Sequence, residues 1–536
     1  MSIIFSNRNT IKAISLTILF SASFLYSIQS PAATLETDLS KTPFPSIFDD
    51  PVTPSYSSPQ NELFFDTEAY STALEKEEKI KALLKSGITR YRAGEKVKGL
   101  IDLKKAWKLA PNMASTGVTL AMHYIKDKQY SQALEVAKKQ RAIFPTKPYA
   151  SIIEGFTYHG LENKTQSISA FTQAIKLNPG NSTASLVLAN YALKEKNIKQ
   201  ARKLYLDTLS YNPNNMRALL MLSRIDRTQG NTKEIENLVK NAIQTAPDTS
   251  LFHGGFAKIY QVLQNYPLAL VEIKKAIKSE PNNAANHFLL AKLLVSNNQL
   301  NDSRDILNKL ALAYPDNPAP RELEGRIALA QNKPKEAINL FQQALGIKDS
   351  TSTVMQLATA QIRSGEKESG LSTLRQRVKK ESTNILLRKL FADHLSKQNK
   401  QEEAIQQYKE IIRLQPNNTI IMNNLAWLLA EQGNIDKALL HIEKAYTITP
   451  LNLNIMDTYG TILLKKGLYI KAEEMLNKAI AKAPTNLSIQ FHLSQVLVEL
   501  KKDKTAKILL NKLINTNKPF AEQQEAKKLL EQLESH

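Results

Sequence analysis

PNNTIIMNNLAWLLAEQGNIDKALLHIEKAYTITP, residues 416 to 450, begins and ends on proline and contains a helix, a turn and a second helix. Small Ala426 in the first half and small Ala438 in the second mark places where two helices approach closely. Large Ile442 fills the space beside that contact, and Gly433 supplies the turn between the halves. Pro450 cannot continue the second helix, so the unit stops there.

The same unit recurs with a period of 34. Prolines stand at Pro111, Pro145, Pro179, Pro213, Pro247, Pro281 and Pro315. Asp349 and Ser382 then take the place of proline, with one residue deleted, before Pro416, Pro450 and Pro484 resume the series and Pro519 follows one residue late. With this proline numbered 32, position 8 is small (Gly155, Ala189, Ala257, Gly325, Gly460), position 20 is often alanine (Ala133, Ala201, Ala269, Ala337) and position 24 is large (Phe171, Tyr205, Phe341, Tyr408). Such a repeat must be sought before any other pattern, because it sets the whole fold. Thirteen repeats fit between residues 78 and 518, and the chain is expected to be all-α. Residues 519–536 place Ala526, Leu529, Leu530 and Leu533 on one face of a helix that would cap the open end of the array.

This pattern of small, aromatic and proline positions resembles the tetratricopeptide repeat over about four fifths of the chain. The resemblance implies a right-handed superhelical solenoid, its concave surface built mainly from the first helix of each repeat, with positions 2, 5, 9 and 12 pointing inward.

Ahead of the array lie two segments of different character. Residues 1–33 carry Arg8 and Lys12, an uncharged run from Ala13 to Ile28 and the small-residue stretch Ser30-Pro31-Ala32-Ala33, the three-part plan of a secretory signal peptide. The run is shorter than the ~20 residues that span a bilayer. Cleavage near Ala32 or Ala33 is therefore expected over retention as an anchor. In a bacterium that makes the product periplasmic or secreted, with no stable membrane span. Residues 34–77 hold five prolines and read as an extended linker. That linker has nine acidic residues against Lys41 and Lys76, a formal charge of −7, within a chain of +21. The rest of the chain is strongly basic.

No cysteine is present, which removes disulfides, thiolate ligands and cysteine nucleophiles. The eight histidines show no metal-binding spacing, and no Gly-rich phosphate loop, H-E-x-x-H or G-x-S-x-G occurs. The expectation is a protein that is not an enzyme and needs no cofactor or metal. Its binding residues would lie on the inner face. Position 9 reads Arg224, Lys258, Lys292 and Arg326 in four successive repeats, flanked by Arg217 and Arg227. Such a ladder of cations suits an anionic ligand, against the plainer reading of a solvated basic surface. A second group is Asn423 and Trp427 with Asp457 and Thr461 of the next repeat, able to grip an extended peptide by amide hydrogen bonds and indole contact. Trp427 follows the close-packed Ala426, a neighbour that favours the core for it.

The run Asn423 to Glu431, the later Asp457-Thr458-Tyr459-Gly460 and the ending Lys518 to Glu522 look like the last repeats of exported tetratricopeptide proteins that accompany exosortase (PEP-CTERM) and exopolysaccharide systems. The resemblance implies a scaffold for proteins or extended peptides of the cell envelope. The alternative is direct capture of an anionic polysaccharide by the basic groove. Nucleic acid is not an expected partner of an exported chain.

Overall fold

A computed structural model describes residues 67–516 and 519–535, and among them there are 27 α-helices and no strand. The leader expected at 1–33 and the linker as far as residue 66 lie outside the described residues. The described chain divides into two compact units, meeting in sequence between Asn297 and Asn298.

The N-terminal unit holds α1 (Thr67–Arg92), α2 (Lys96–Leu109), α3 (Ala114–Lys126), α4 (Tyr130–Ile143), α5 (Tyr149–Gly160), α6 (Lys164–Leu177), α7 (Ser182–Lys194), α8 (Ile198–Tyr211), α9 (Met216–Thr228), α10 (Thr232–Thr245), α11 (Ser250–Val262), α12 (Tyr266–Ser279) and α13 (Ala284–Ser296). The C-terminal unit holds α14 (Leu300–Ala313), α15 (Ala319–Ala330), α16 (Pro334–Ile347), α17 (Thr351–Arg363), α18 (Lys367–Lys380), α19 (Ile385–Lys397), α20 (Gln401–Leu414), α21 (Thr419–Glu431), α22 (Ile435–Ile448), α23 (Leu453–Lys465), α24 (Tyr469–Lys482), α25 (Leu487–Glu499), α26 (Asp503–Ile514) and α27 (Gln523–Glu534). Odd-numbered helices up to α25 are the first helices of thirteen repeats, and even-numbered ones the second. One boundary differs from expectation. The first helix begins at Thr67, eleven residues inside the segment read as linker up to 77. Beyond Pro59 no proline breaks the chain, and residues such as Glu77 and Lys81, joined at 2.7 Å, support a helix one turn apart.

Two local devices repeat with the period. The residue closing the turn inside each repeat has positive φ, from Gly94 and Lys128 through Gly230, Gly365 and Gly433 to Lys501, once in every one of the thirteen repeats. This left-handed residue ends the first helix and redirects the chain. At the start of the next repeat, Asn181, Asn215, Asn283, Asn384, Asn418, Asn452 and Asn486 accept a backbone N–H of the first turn through their side chains. Such a cap is worth ~1 kcal/mol.

Between these ends the helices pack as the small and large positions require. A Cβ placed on Gly155 would lie 2.7 Å from the Phe171 ring, and one on Gly325 2.6 Å from Phe341. Both rings are fully buried, as are Ala133, Ala201, Ala269 and Ala337. In the N-terminal unit one continuous apolar core joins residues from Leu186 to Leu293, so neighbouring repeats bury faces that none could bury alone. At the other end Ala526 and Leu530 of α27 bury themselves against Phe491, Leu510 and Leu513. That helix closes the last repeat.

Candidate functional site

Within each unit the two layers of helices are not equivalent. Successive first helices pack directly on one another, α3 on α5 and α9 on α11 in the N-terminal unit, α15 on α17, α17 on α19, α21 on α23 and α23 on α25 in the C-terminal unit. Successive second helices make no comparable contact. The first helices therefore line the inner side of the bend, and their outward-projecting residues form the binding face.

In the N-terminal unit this face is basic by segregation of charge. From α3 to α13 the first helices carry Lys126, Lys194, Arg217, Arg224, Arg227, Lys258 and Lys292. Their only acidic residues are Glu154 and Asp226, and both are held by arginines of second helices, Glu154 by Arg141 and fully buried Asp226 by Arg202 at 2.8 Å. Acidic residues of the second helices include Asp102, Glu135, Asp207, Glu234 and Glu272. Lys258 and Lys292 are exposed, while Arg217, Arg224 and Arg227 are half-buried. Arg224 lays its guanidinium against Met221 Sδ at 3.9 Å. Arg227 donates from Nη1 to the Val262 carbonyl at 2.9 Å, closing the C-terminus of α11, so part of its capacity is structural. Lys292 stands 6.0 Å over the Phe288 ring. Arg224 and Lys258 thus sit on contacting helices, with Lys292 one repeat on. Arg326, the expected fourth rung, belongs to the C-terminal unit. There it is exposed, yet the protein around it desolvates the guanidinium enough to lower its pKa, against the pull of Glu322.

The second predicted group comes together on α21, α23 and α25. Trp427 is 40 % exposed, so it lies on the inner face and not in the core that its neighbour Ala426 had suggested. Lys465 of α23 holds its Nζ 5.7 Å above the indole and bonds Glu431 at 2.7 Å. Asn423, one turn before Trp427, is half-buried, and its Oδ1 is buried with no hydrogen-bond partner. Asp457 accepts from His492 Nδ1 at 2.7 Å. Burial opposes charge on that imidazole, but Asp457 and then Glu522 outweigh it and raise its pKa. Thr461 departs from expectation. It is buried, and its hydroxyl donates to the Asp457 backbone carbonyl at 3.0 Å, which removes it from the ligand-facing set. A short side chain at position 9 stays beneath its neighbours, where arginine, lysine or tryptophan reaches past them to solvent.

Three inner-face residues were missed from sequence. Leu251 of α11, Leu386 of α19 and Ile420 of α21, all at position 2, are 79 %, 67 % and 58 % exposed. The last two stand at equivalent places in adjacent repeats, on the same helix-face register as Asn423 and Trp427. Their signal is an aliphatic residue at a position that faces solvent, without the charge, amide or indole that marks the other two groups.

Comparison with known families fits this geometry. Family models described as tetratricopeptide repeat match residues 165–225, 263–327 and 390–452. The segments so matched, about a third of the chain, are tetratricopeptide repeats. Solved structures similar to this chain include the APC/C hetero-tetramer Cut9-Hcn1, at 14% identity and TM-score 0.34, covering 87% of this chain and 99% of that one. Yeast Tom70 matches at 15% identity and TM-score 0.34, covering 86% and 96%. YrrB, titled a tetratricopeptide protein with an unusual peptide-binding site, matches at 22% identity and TM-score 0.28, covering 34% and 95%. No curated protein matches the chain. Tetratricopeptide arrays are generally scaffolds that bind peptides or proteins, and this fold fits that role.

Proposed function

We propose that this chain is an exported, non-enzymatic scaffold of the bacterial envelope that holds extended segments of partner proteins along its inner faces and supports assembly or export of material such as exopolysaccharide. The observation that carries the binding role is one face of α21, where Ile420 and Trp427 stand in solvent on either side of Asn423 with its buried, unpartnered amide oxygen, and Leu386 is exposed at the equivalent place one repeat earlier. Exposed apolar residues so grouped mark interaction sites, and an amide between them selects a backbone that can donate to it. Export rests on the leader-like composition of residues 1–33, and the pathway on resemblance to exosortase-associated proteins.

The test is co-purification from the envelope at moderate salt. Proteins held by the unaltered chain should be lost on Ile420→Glu combined with Trp427→Ala; unchanged recovery would overturn the reading. Mass analysis of the exported chain should show a start near residue 33 or 34.

A second reading is favoured by the basic inner face of α3 to α13, whose two acidic residues are held by arginines and which would take an anionic polymer such as an acidic polysaccharide. Binding that collapses on adding salt, while the first helices' cations remain intact, is the expected signature.

A further inference from the structure

We propose that the inner face of the N-terminal unit is occupied by this chain's own residues 34–66, which an external acidic ligand must displace. The proposal rests on the reading of that face as a site for anions, and extends it by naming the occupant. Three observations support it. First, from α3 to α13 the face holds only two acidic residues, Glu154 and Asp226, and both are bonded to second-helix arginines, while Lys194 and Lys258 are exposed. Second, residues 34–66 carry Glu36, Asp38, Asp49, Asp50, Glu62 and Asp66 against the single Lys41, with aromatic Phe44, Phe48, Tyr56, Phe64 and Phe65. Third, the segment ends where α1 begins, at Thr67, so it is tethered to the first repeat of the same face.

Asp49 and Asp50 stand 18 and 17 residues ahead of Thr67, so an extended segment carries them ~55 Å from the start of α1, as far along the layer as the cations on α9 and α11. Reach is sufficient. Packed helices lie ~10 Å apart, so α13 is roughly 60 Å along the first-helix layer from α1. Thirty-three extended residues span up to ~110 Å. A tethered segment is present at an effective concentration of order millimolar, enough for a weak electrostatic contact to compete with free ligand.

The experiment measures binding of a fluorescent peptide of residues 34–66, and separately of poly-glutamate, at low salt. The proteins are the exported chain, a neutralised chain (Glu36→Gln, Asp38→Asn, Asp49→Asn, Asp50→Asn, Glu62→Gln, Asp66→Asn) and that neutralised chain with Arg224→Glu and Lys258→Glu. Both probes should bind the neutralised chain at least about tenfold more tightly than the unaltered chain. Adding Arg224→Glu and Lys258→Glu should abolish the gain. Equal affinity of both probes for the unaltered and neutralised chains would overturn occupancy by residues 34–66 and leave the anion reading standing. Failure of poly-glutamate to bind any of the three would overturn both.

Discussion

His253 is the side chain whose geometry most directly fixes its own charge. Its Nδ1 lies 2.6 Å from Glu272 and its Nε2 2.6 Å from Asp248, and a neutral imidazole can donate through only one nitrogen. Burial disfavours the charged ring, but hydrogen bonds and attraction from the two carboxylates outweigh that and raise its pKa. A raised pKa means the folded state holds the proton longer. The clamp's contribution is full below the ordinary histidine value of about 6.5 and is lost as pH rises through the raised value. His253→Gln should therefore lower the melting temperature at pH 5.5 and leave it little changed at pH 9, read by circular dichroism. A constant difference across that range would contradict it. Packing at position 8 gives a second residue-scale prediction. Gly325→Val should cost ~1–3 kcal/mol in chemical denaturation, since its Cβ would meet the buried Phe341 ring, whereas Gly346→Ala, with open space around it, should cost far less.

At the scale of one helix, Ala269 joins two requirements. It is fully buried in α12, and its N–H donates to the Asn265 carbonyl at 3.0 Å. Ala269→Pro removes that bond and drives the ring into the preceding turn, so a loss of ~3 kcal/mol or more is expected, seen as a lower midpoint in urea. The helices were legible from sequence because the 34-residue period places proline, small and large residues in fixed relation, and the structure pairs Gly155 with Phe171 and Gly325 with Phe341 accordingly. The start of α1 was not. Its first turns lie ahead of the period, in the stretch whose prolines read as an extended linker, although the last of them is Pro59. The inner face was half legible. Position along a helix says which way a Cα–Cβ bond points, but the reach of the side chain decides whether it emerges: Trp427 does, and Thr461 at the equivalent place does not.

For the whole molecule, an array of repeats has no central core, and its ends expose what the interior repeats bury. α27 performs that covering over Phe491, Leu510 and Leu513. A chain ending at residue 516 should aggregate on concentration, measured by light scattering, where the full chain stays dispersed. The central claim is that partners are held on the layer of first helices. Site-specific photocrosslinking measures this most directly, with a photoreactive residue placed in turn at Leu386 and Ile420 on the inner face and at Leu440 and Ile470 on second helices, all four being exposed. The account predicts protein adducts in the envelope from Leu386 and Ile420 and none from Leu440 or Ile470. Adducts from the second-helix positions alone would contradict it.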